Sequence, residues 1–136
     1  MARFLYRLCT AGLFGAQLFF SAVASQAAFR SGLVERPVAG SLVGAMLARL
    51  DAATIALSAL AALVAVLLGQ PRRAILPVVA GLLAVVSAFV LTPAVHAMRE
   101  AGQTGTPAFG RMHGYSAGLM LAEMLLLALA VWFEPK

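Results

Sequence analysis

The sequence has 136 residues, of which 62% are hydrophobic and only 11% charged, and its mean hydropathy is +0.96. A soluble globular domain carries about 25% charged residues, so this composition argues against a soluble protein. The net charge of +5 comes from arginines that flank apolar stretches, and no basic run has interleaved aromatic residues. This pattern argues against a nucleic-acid-binding protein. The single cysteine, Cys9, excludes an internal disulfide.

Four long apolar stretches follow one another along the chain, and each is close to the ~20 residues that a helix needs to cross the ~30 Å hydrocarbon layer. They predict an all-α fold, an integral membrane antiparallel four-helix bundle, with residues 1–136 forming a single four-span transmembrane domain. The four predicted spans are residues 5–29, 37–69, 74–98 and 108–133. An alternative for the first stretch is a cleaved signal peptide, because Ser25-Gln26-Ala27 resembles a signal-peptidase site.

Two prolines indicate how the helices begin or bend. Pro37 suits the first turn of the second helix, where a missing N–H costs nothing. That helix is too long for one perpendicular crossing, so we expect it to tilt, to kink or to begin outside the hydrocarbon. Pro93 leaves the carbonyl of Phe89 without its helical donor and should bend the third helix there.

Small residues recur every four positions on two of the predicted helices, a spacing that allows membrane helices to approach closely. The second helix carries Gly40, Gly44 and Ala48 at this spacing, and the fourth carries Gly114 and Gly118. The pattern predicts that helix two packs through its small residues against helix four or helix one.

Basic residues at the span ends bear on the orientation of the bundle. The side that holds both termini would carry Arg3, Arg7, Arg72, Arg73 and Lys136. The opposite side would carry Arg30, Arg36, Arg99 and Arg111. Because basic residues concentrate on the cytoplasmic side, this small excess favours cytoplasmic termini.

Three ionisable residues fall deep inside predicted spans, where a charge costs about 2.5–3.5 kcal/mol on insertion scales. They are Arg49 and Asp51 on the second helix and Glu123 on the fourth. Arg49 and Asp51 point about 200° apart on a helix, so they are poor partners for each other. The depths favour pairing of Arg49 with Glu123, or of Asp51 with a group on the first or third helix. Burial that only fixes the helix register is the simpler alternative to a functional role.

The fourth helix carries a second polar stripe. His113, Ser116, Met120 and Glu123 are spaced to share one face, with Arg111 just before them. His96 and His113 fall at the same end of different helices and are candidate ligands for a soft metal such as copper(I), with polar interface residues as the alternative.

The segment Phe109-Gly110-Arg111-Met112-His113-Gly114-Tyr115-Ser116 resembles a signature of the transmembrane protein 205-like family, which includes many bacterial proteins with a domain of unknown function. Gly15-Ala16-Gln17 and Thr92-Pro93 resemble further parts of that family. The resemblance implies a four-helix protein of the bacterial inner membrane and makes Arg111, His113, Gly114 and Ser116 signature positions. It also hints at soft-metal handling, because the human member is linked to resistance to platinum drugs. Family members often have Asn where this chain has Met120.

Two function classes remain open, and neither is an enzyme. In the first, the protein is a small transporter of the efflux type, in which buried Glu123 exchanges protons for a cationic substrate. In the second, it is a structural or assembly subunit of a membrane complex, as a homo-oligomer or with another membrane protein. A soft-metal-binding protein is a further alternative. The sequence indicates no cofactor and no nucleic-acid partner, and the lipid bilayer is the expected surrounding.

Overall fold

The computed structural model describes residues 1–133, which form four long antiparallel helices and no strand. Lys136, which was counted in the charge comparison, lies outside the described residues. The helices are α1 (Ala2–Arg30), α2 (Arg36–Leu67), α3 (Pro71–Glu100) and α4 (Pro107–Trp132), and each is long and apolar enough to cross a membrane. The predicted four-span all-α architecture is confirmed, and α2 ends two residues earlier than expected.

The helices form a ring in which α1 packs on α2, α2 on α3, α3 on α4, and α4 on α1. Helix α2 therefore packs on α1, one of its two predicted neighbours, and lies diagonally across the bundle from α4. Large apolar side chains cover the outside, including Leu63, Leu82, Phe89 and Leu125, each more than half exposed. An outer surface of this kind is stable where lipid tails replace water, which agrees with a multi-pass membrane protein.

The helix ends follow from local sequence. Helix α4 begins at Pro107, and the Thr106 hydroxyl caps it by accepting from the Phe109 N–H at 3.2 Å. Helices α2 and α3 are each followed by a glycine at positive φ, Gly69 at 71° and Gly102 at 70°. Only glycine adopts this conformation without strain, so these residues stop the helices.

Small residues let α2 and α3 approach closely. A Cβ placed on Gly81 would lie 3.2 Å from the Cβ of Ser58, and Ala61, Ala65, Ala80 are fully buried nearby in the interior. The α3 backbone at Gly81 thus lies directly against the Ser58 side chain of α2, and the interior has no room for a larger residue at Gly81.

We expect Gly81→Val to lower the free energy of unfolding by about 1–3 kcal/mol, because the branched side chain must push α2 and α3 apart. Gly118→Val is the matched control, since a Cβ at Gly118 meets nothing within 4 Å and the change in helix propensity is the same. Thermal unfolding in detergent measures both. An equal loss of stability in the two variants would contradict the close approach of α2 and α3.

The small residues predicted from the four-residue spacing do not bring α2 and α4 together. Gly114, Gly118 and Ala48 are exposed, and a Cβ on either of these glycines would meet no atom within 4 Å. Gly40 and Gly44 instead face the side chain of Arg99. The contact with helix four, one of the two predicted partners, does not form because α2 and α4 are diagonal in the ring.

The ends of the bundle indicate where the membrane lies. At one end Arg99 rests against Gly44, and at the other the buried Tyr6 packs with Ala65 and donates its hydroxyl to the Arg73 carbonyl at 3.3 Å. Gly44 and Ala65 are separated by about 32 Å along α2, which matches the ~30 Å hydrocarbon layer. The first two turns of α2 therefore extend beyond the layer, and Thr54 lies close to its middle.

Candidate functional site

A polar cluster occupies the middle of the bundle and begins with Glu123 of α4. The Glu123 side chain is 2% exposed, and its Oε2 accepts a hydrogen bond from Gln17 Nε2 of α1 at 2.8 Å. The same Gln17 nitrogen donates to Thr54 Oγ1 of α2 at 3.2 Å. Three helices are thus connected by one amide group close to the middle of the membrane.

A second carboxyl group, Asp51 of α2, is buried beside this chain of hydrogen bonds. Its Oδ2 accepts from the hydroxyls of Ser87 at 2.9 Å and Thr92 at 3.4 Å, both on α3. Asp51 lies one turn before Thr54, which accepts from the same Gln17 nitrogen as Glu123. The pairing of Asp51 with a group on the third helix is confirmed.

The carboxyl groups have no basic partner. Within residues 1–133, no lysine, arginine or histidine nitrogen lies within 4.0 Å of either one. Three buried oxygen atoms of the cluster region make no hydrogen bond: Gln17 Oε1, Ser58 Oγ and Glu123 Oε1. Each of these oxygen atoms can therefore accept a further hydrogen bond.

The predicted pairing of Arg49 with Glu123 is wrong, because Arg49 is exposed on the outside of α2. Asp51, Thr54 and Ser58 occupy the inward face of that helix, and Arg49 points about 200° away from Asp51. Arg49 lies only about 8 Å beyond the Gly44 level, so its long side chain can extend toward the headgroups.

Two helices widen beside the cluster. Phe20–Ala24 of α1 and Ser87–Leu91 of α3 are π-helical turns, and Ser87 itself donates to Asp51. The disturbance expected near Pro93 is therefore present as a wider turn just before that proline. Such turns are frequent at functional sites because they redirect side chains and free backbone groups.

A cavity of about 480 Å³ enters the bundle from the Arg99 end and is called the vestibule here. Its outer lining includes His96, Arg99 and His113, and its inner lining includes Thr92 and Met120. Thr92 bonds directly to Asp51, and Met120 is three residues before Glu123. The vestibule therefore ends about one helical turn from both buried carboxyl groups.

The remaining predicted residues lie at or near the vestibule. Ser116 is buried in its lining, whereas Arg111 is exposed and outside it. His113 is exposed and stacks on Phe109, with ring centroids 6.2 Å apart. His96 lies 3.5 Å from Glu100. The two histidines line one cavity, but no group of three or more His, Cys, Asp or Glu suited to a metal occurs within residues 1–133.

Sequence reasoning missed the residues that hold the two carboxyl groups. Gln17 lies at the centre of the first predicted span, and Ser87 and Thr92 look like ordinary small polar residues of a span. The sequence could have indicated Gln17, because a glutamine deep in a span needs a hydrogen-bond partner, as a carboxyl group does. Arg99 was also missed as a lining residue, because a basic residue at a span end usually faces headgroups.

Comparison with known proteins gives one result. A family model described as Domain of unknown function (DUF4149) matches residues 8–104, which include most of α1 and all of α2 and α3. No curated protein and no solved structure matches the chain. The match ends before the Phe109–Ser116 segment, so the resemblance to the transmembrane protein 205-like family stays a prediction. Because the matched region covers more than half of the chain and contains Gln17, Asp51 and Thr92, this membrane protein belongs to the DUF4149 family.

Proposed function

We propose that the protein is a small proton-coupled membrane transporter in which Glu123 and Asp51 take up and release the protons. The observation that carries this proposal is the type of partner that each buried carboxyl group has. Gln17 binds Glu123, and Ser87 and Thr92 bind Asp51. Amides and hydroxyls can either donate or accept, whereas an arginine can only donate and would hold a carboxyl group ionised.

The Gln17 amide suits both protonation states of Glu123. In the structure its NH₂ group donates to Glu123 Oε2, the arrangement for an ionised carboxylate. Rotation of the amide would present Oε1, which has no partner now, to accept from a protonated carboxyl group. The site therefore requires no large rearrangement when a proton arrives or leaves.

The vestibule supplies the route for the proton on one side. It contains the hydroxyls of Ser21, Thr92 and Ser116, and Thr92 connects it to Asp51. Past the cluster, the bundle is filled by an apolar core around Tyr6, Ala61 and Ala65. A cavity on one side of the cluster and a packed core on the other is the arrangement of a transporter that is open to one side at a time. Its ionisable groups lie at the boundary between the open and the closed half.

We infer a bacterial inner-membrane location with both termini in the cytoplasm. The support is the small excess of basic residues on the terminal side, together with the resemblance described above. The vestibule, at the Arg99 end, then opens on the outer face of that membrane.

The test is proton flux into proteoliposomes that contain a pH-sensitive dye. With a membrane potential imposed, and with organic acids, amines or no solute present, we expect flux above that of empty liposomes in at least one condition. Glu123→Gln should reduce it to the rate of empty liposomes. Glu100→Gln is the control, because Glu100 is exposed at the helix end and does not touch the cluster.

An assembly role is the second candidate, and the exposed glycines favour it. Gly12, Gly15, Gly114 and Gly118 have nothing within 4 Å, so another membrane helix could pack there. Wild-type liposomes without flux in any condition, together with unfolding of Glu123→Gln, would overturn the transport proposal and support this one. The soft-metal role of His96 and His113 has less support, because the described residues contain no group of three or more His, Cys, Asp or Glu suited to a metal.

A further inference from the structure

We infer that the vestibule binds an anion carried on an apolar body, such as a carboxylate with a hydrocarbon chain, and that Arg99 binds the anionic group. As a statement about a transported substrate this rests on the proposed function, but binding itself does not. The inference differs from the cationic substrate that the sequence suggested. It depends on which charged groups reach the cavity and which do not.

Arg99 is the charged side chain that lines the vestibule, and no carboxylate is part of its lining among the described residues. Asp51 and Glu123 do not line it, being 3% and 2% exposed beneath its inner end. Arg99 does line it. Glu100 lies outside the lining, beside His96. Inside the cavity an anion is therefore attracted by the Arg99 guanidinium and meets no carboxylate of the lining.

Arg99 is held in position without being neutralised. A Cβ on Gly40 would lie 3.1 Å from its Nε, and one on Gly44 would lie 3.1 Å from Nη1. The two glycines thus leave a shallow seat for the planar guanidinium on α2. Within the described part of the chain, no carboxylate forms an ion pair with Arg99. Its donors are free for a ligand, and their fork geometry suits a carboxylate or phosphate.

The rest of the lining suits an apolar body. Phe20, Val43, Leu47 and Val95 supply apolar walls, and the volume of about 480 Å³ lies within the ~300–1,000 Å³ of small-molecule sites. The ligand can be a free organic acid or the phosphate headgroup of a lipid that enters from the membrane. Both have the same chemistry, an anion joined to hydrocarbon.

The test is equilibrium binding of radiolabelled decanoate to the full chain in phosphatidylcholine nanodiscs, with empty nanodiscs as the background. We expect saturable binding of decanoate, and weaker binding of decanol and decyltrimethylammonium. Arg99→Gln should lower the affinity about tenfold to a hundredfold, because it removes charge-assisted hydrogen bonds. Arg111→Gln is the matched control, since it removes the same charge from the same end of the bundle but lies outside the vestibule.

Nanodiscs that contain phosphatidylglycerol distinguish the two sources of the anion. Loss of decanoate binding there identifies the lipid headgroup as the occupant, and retained binding identifies a free acid. If Arg99→Gln does not fold, Gly44→Ala replaces it, because its Cβ displaces the guanidinium and should weaken binding several-fold relative to Gly118→Ala. Absence of saturable binding, equal losses in Arg99→Gln and Arg111→Gln, or decanol binding as tightly as decanoate would each overturn the inference. These results do not depend on proton flux, so they leave the proposed function to its own test.

Discussion

The double variant Gln17→Leu/Glu123→Leu is expected to fold at least as stably as the wild-type protein and to have no proton flux. The single variant Gln17→Leu leaves the Glu123 carboxyl group buried without its donor, at a cost of about 1–3 kcal/mol. The double variant removes both polar groups together, and apolar residues of similar size usually replace such a pair with little loss or a gain in stability. A polar pair kept at the expense of stability indicates function.

Thermal unfolding of the two single variants and the double variant gives a double-mutant cycle. The expected coupling is favourable, with the double variant more stable than Gln17→Leu alone. Proteoliposome flux is measured on the same preparations. If the double variant instead loses as much stability as the two single variants added together, the cluster holds the bundle together, and the transport proposal loses its main support.

Ala48→Trp is expected to abolish proton flux while leaving the unfolding temperature close to that of the wild-type protein. Ala48 is exposed and lines the vestibule, so an indole there fills the route toward Thr92 and Asp51 without entering the packed core. Ala59→Trp is the control, because Ala59 lies eleven residues further along the same helix, on nearly the same face, and does not line the vestibule. Undiminished flux in Ala48→Trp would contradict the vestibule as the proton route.

The part of the candidate site that could be predicted consists of residues whose chemistry conflicts with lipid. Asp51 and Glu123 were identified because a carboxyl group deep in a span must turn inward, and both are buried. The same argument failed for Arg49. Its long side chain can extend from the outside of α2 toward the headgroups, an option that a short carboxylate side chain lacks. Depth along a helix therefore predicts burial for aspartate and glutamate better than for arginine.

The partners of these residues could not be predicted, because they depend on which helices are neighbours. Glu123 was expected to meet a residue of α2 but binds Gln17 of α1, and Asp51 binds two hydroxyls of α3. Small-residue spacing suggested contact of α2 with α4 or α1, and the ring order allows only the second. The close approach occurs instead at Gly81 and Ser58, which have no repeating pattern.

The sequence by itself determined the number, length and limits of the membrane-spanning helices and the presence of acidic groups within them. These properties follow from local hydropathy and turn chemistry, which each segment carries alone. Only the tertiary structure decided that four helices share one amide-centred cluster, that Arg99 rests on two glycines, and that a vestibule joins the two regions. The physical reason is that lipid is as apolar as the helix surfaces. Hydropathy therefore does not determine which helices pack together. The packing is determined by the shapes of the helix surfaces and by a few polar contacts between them.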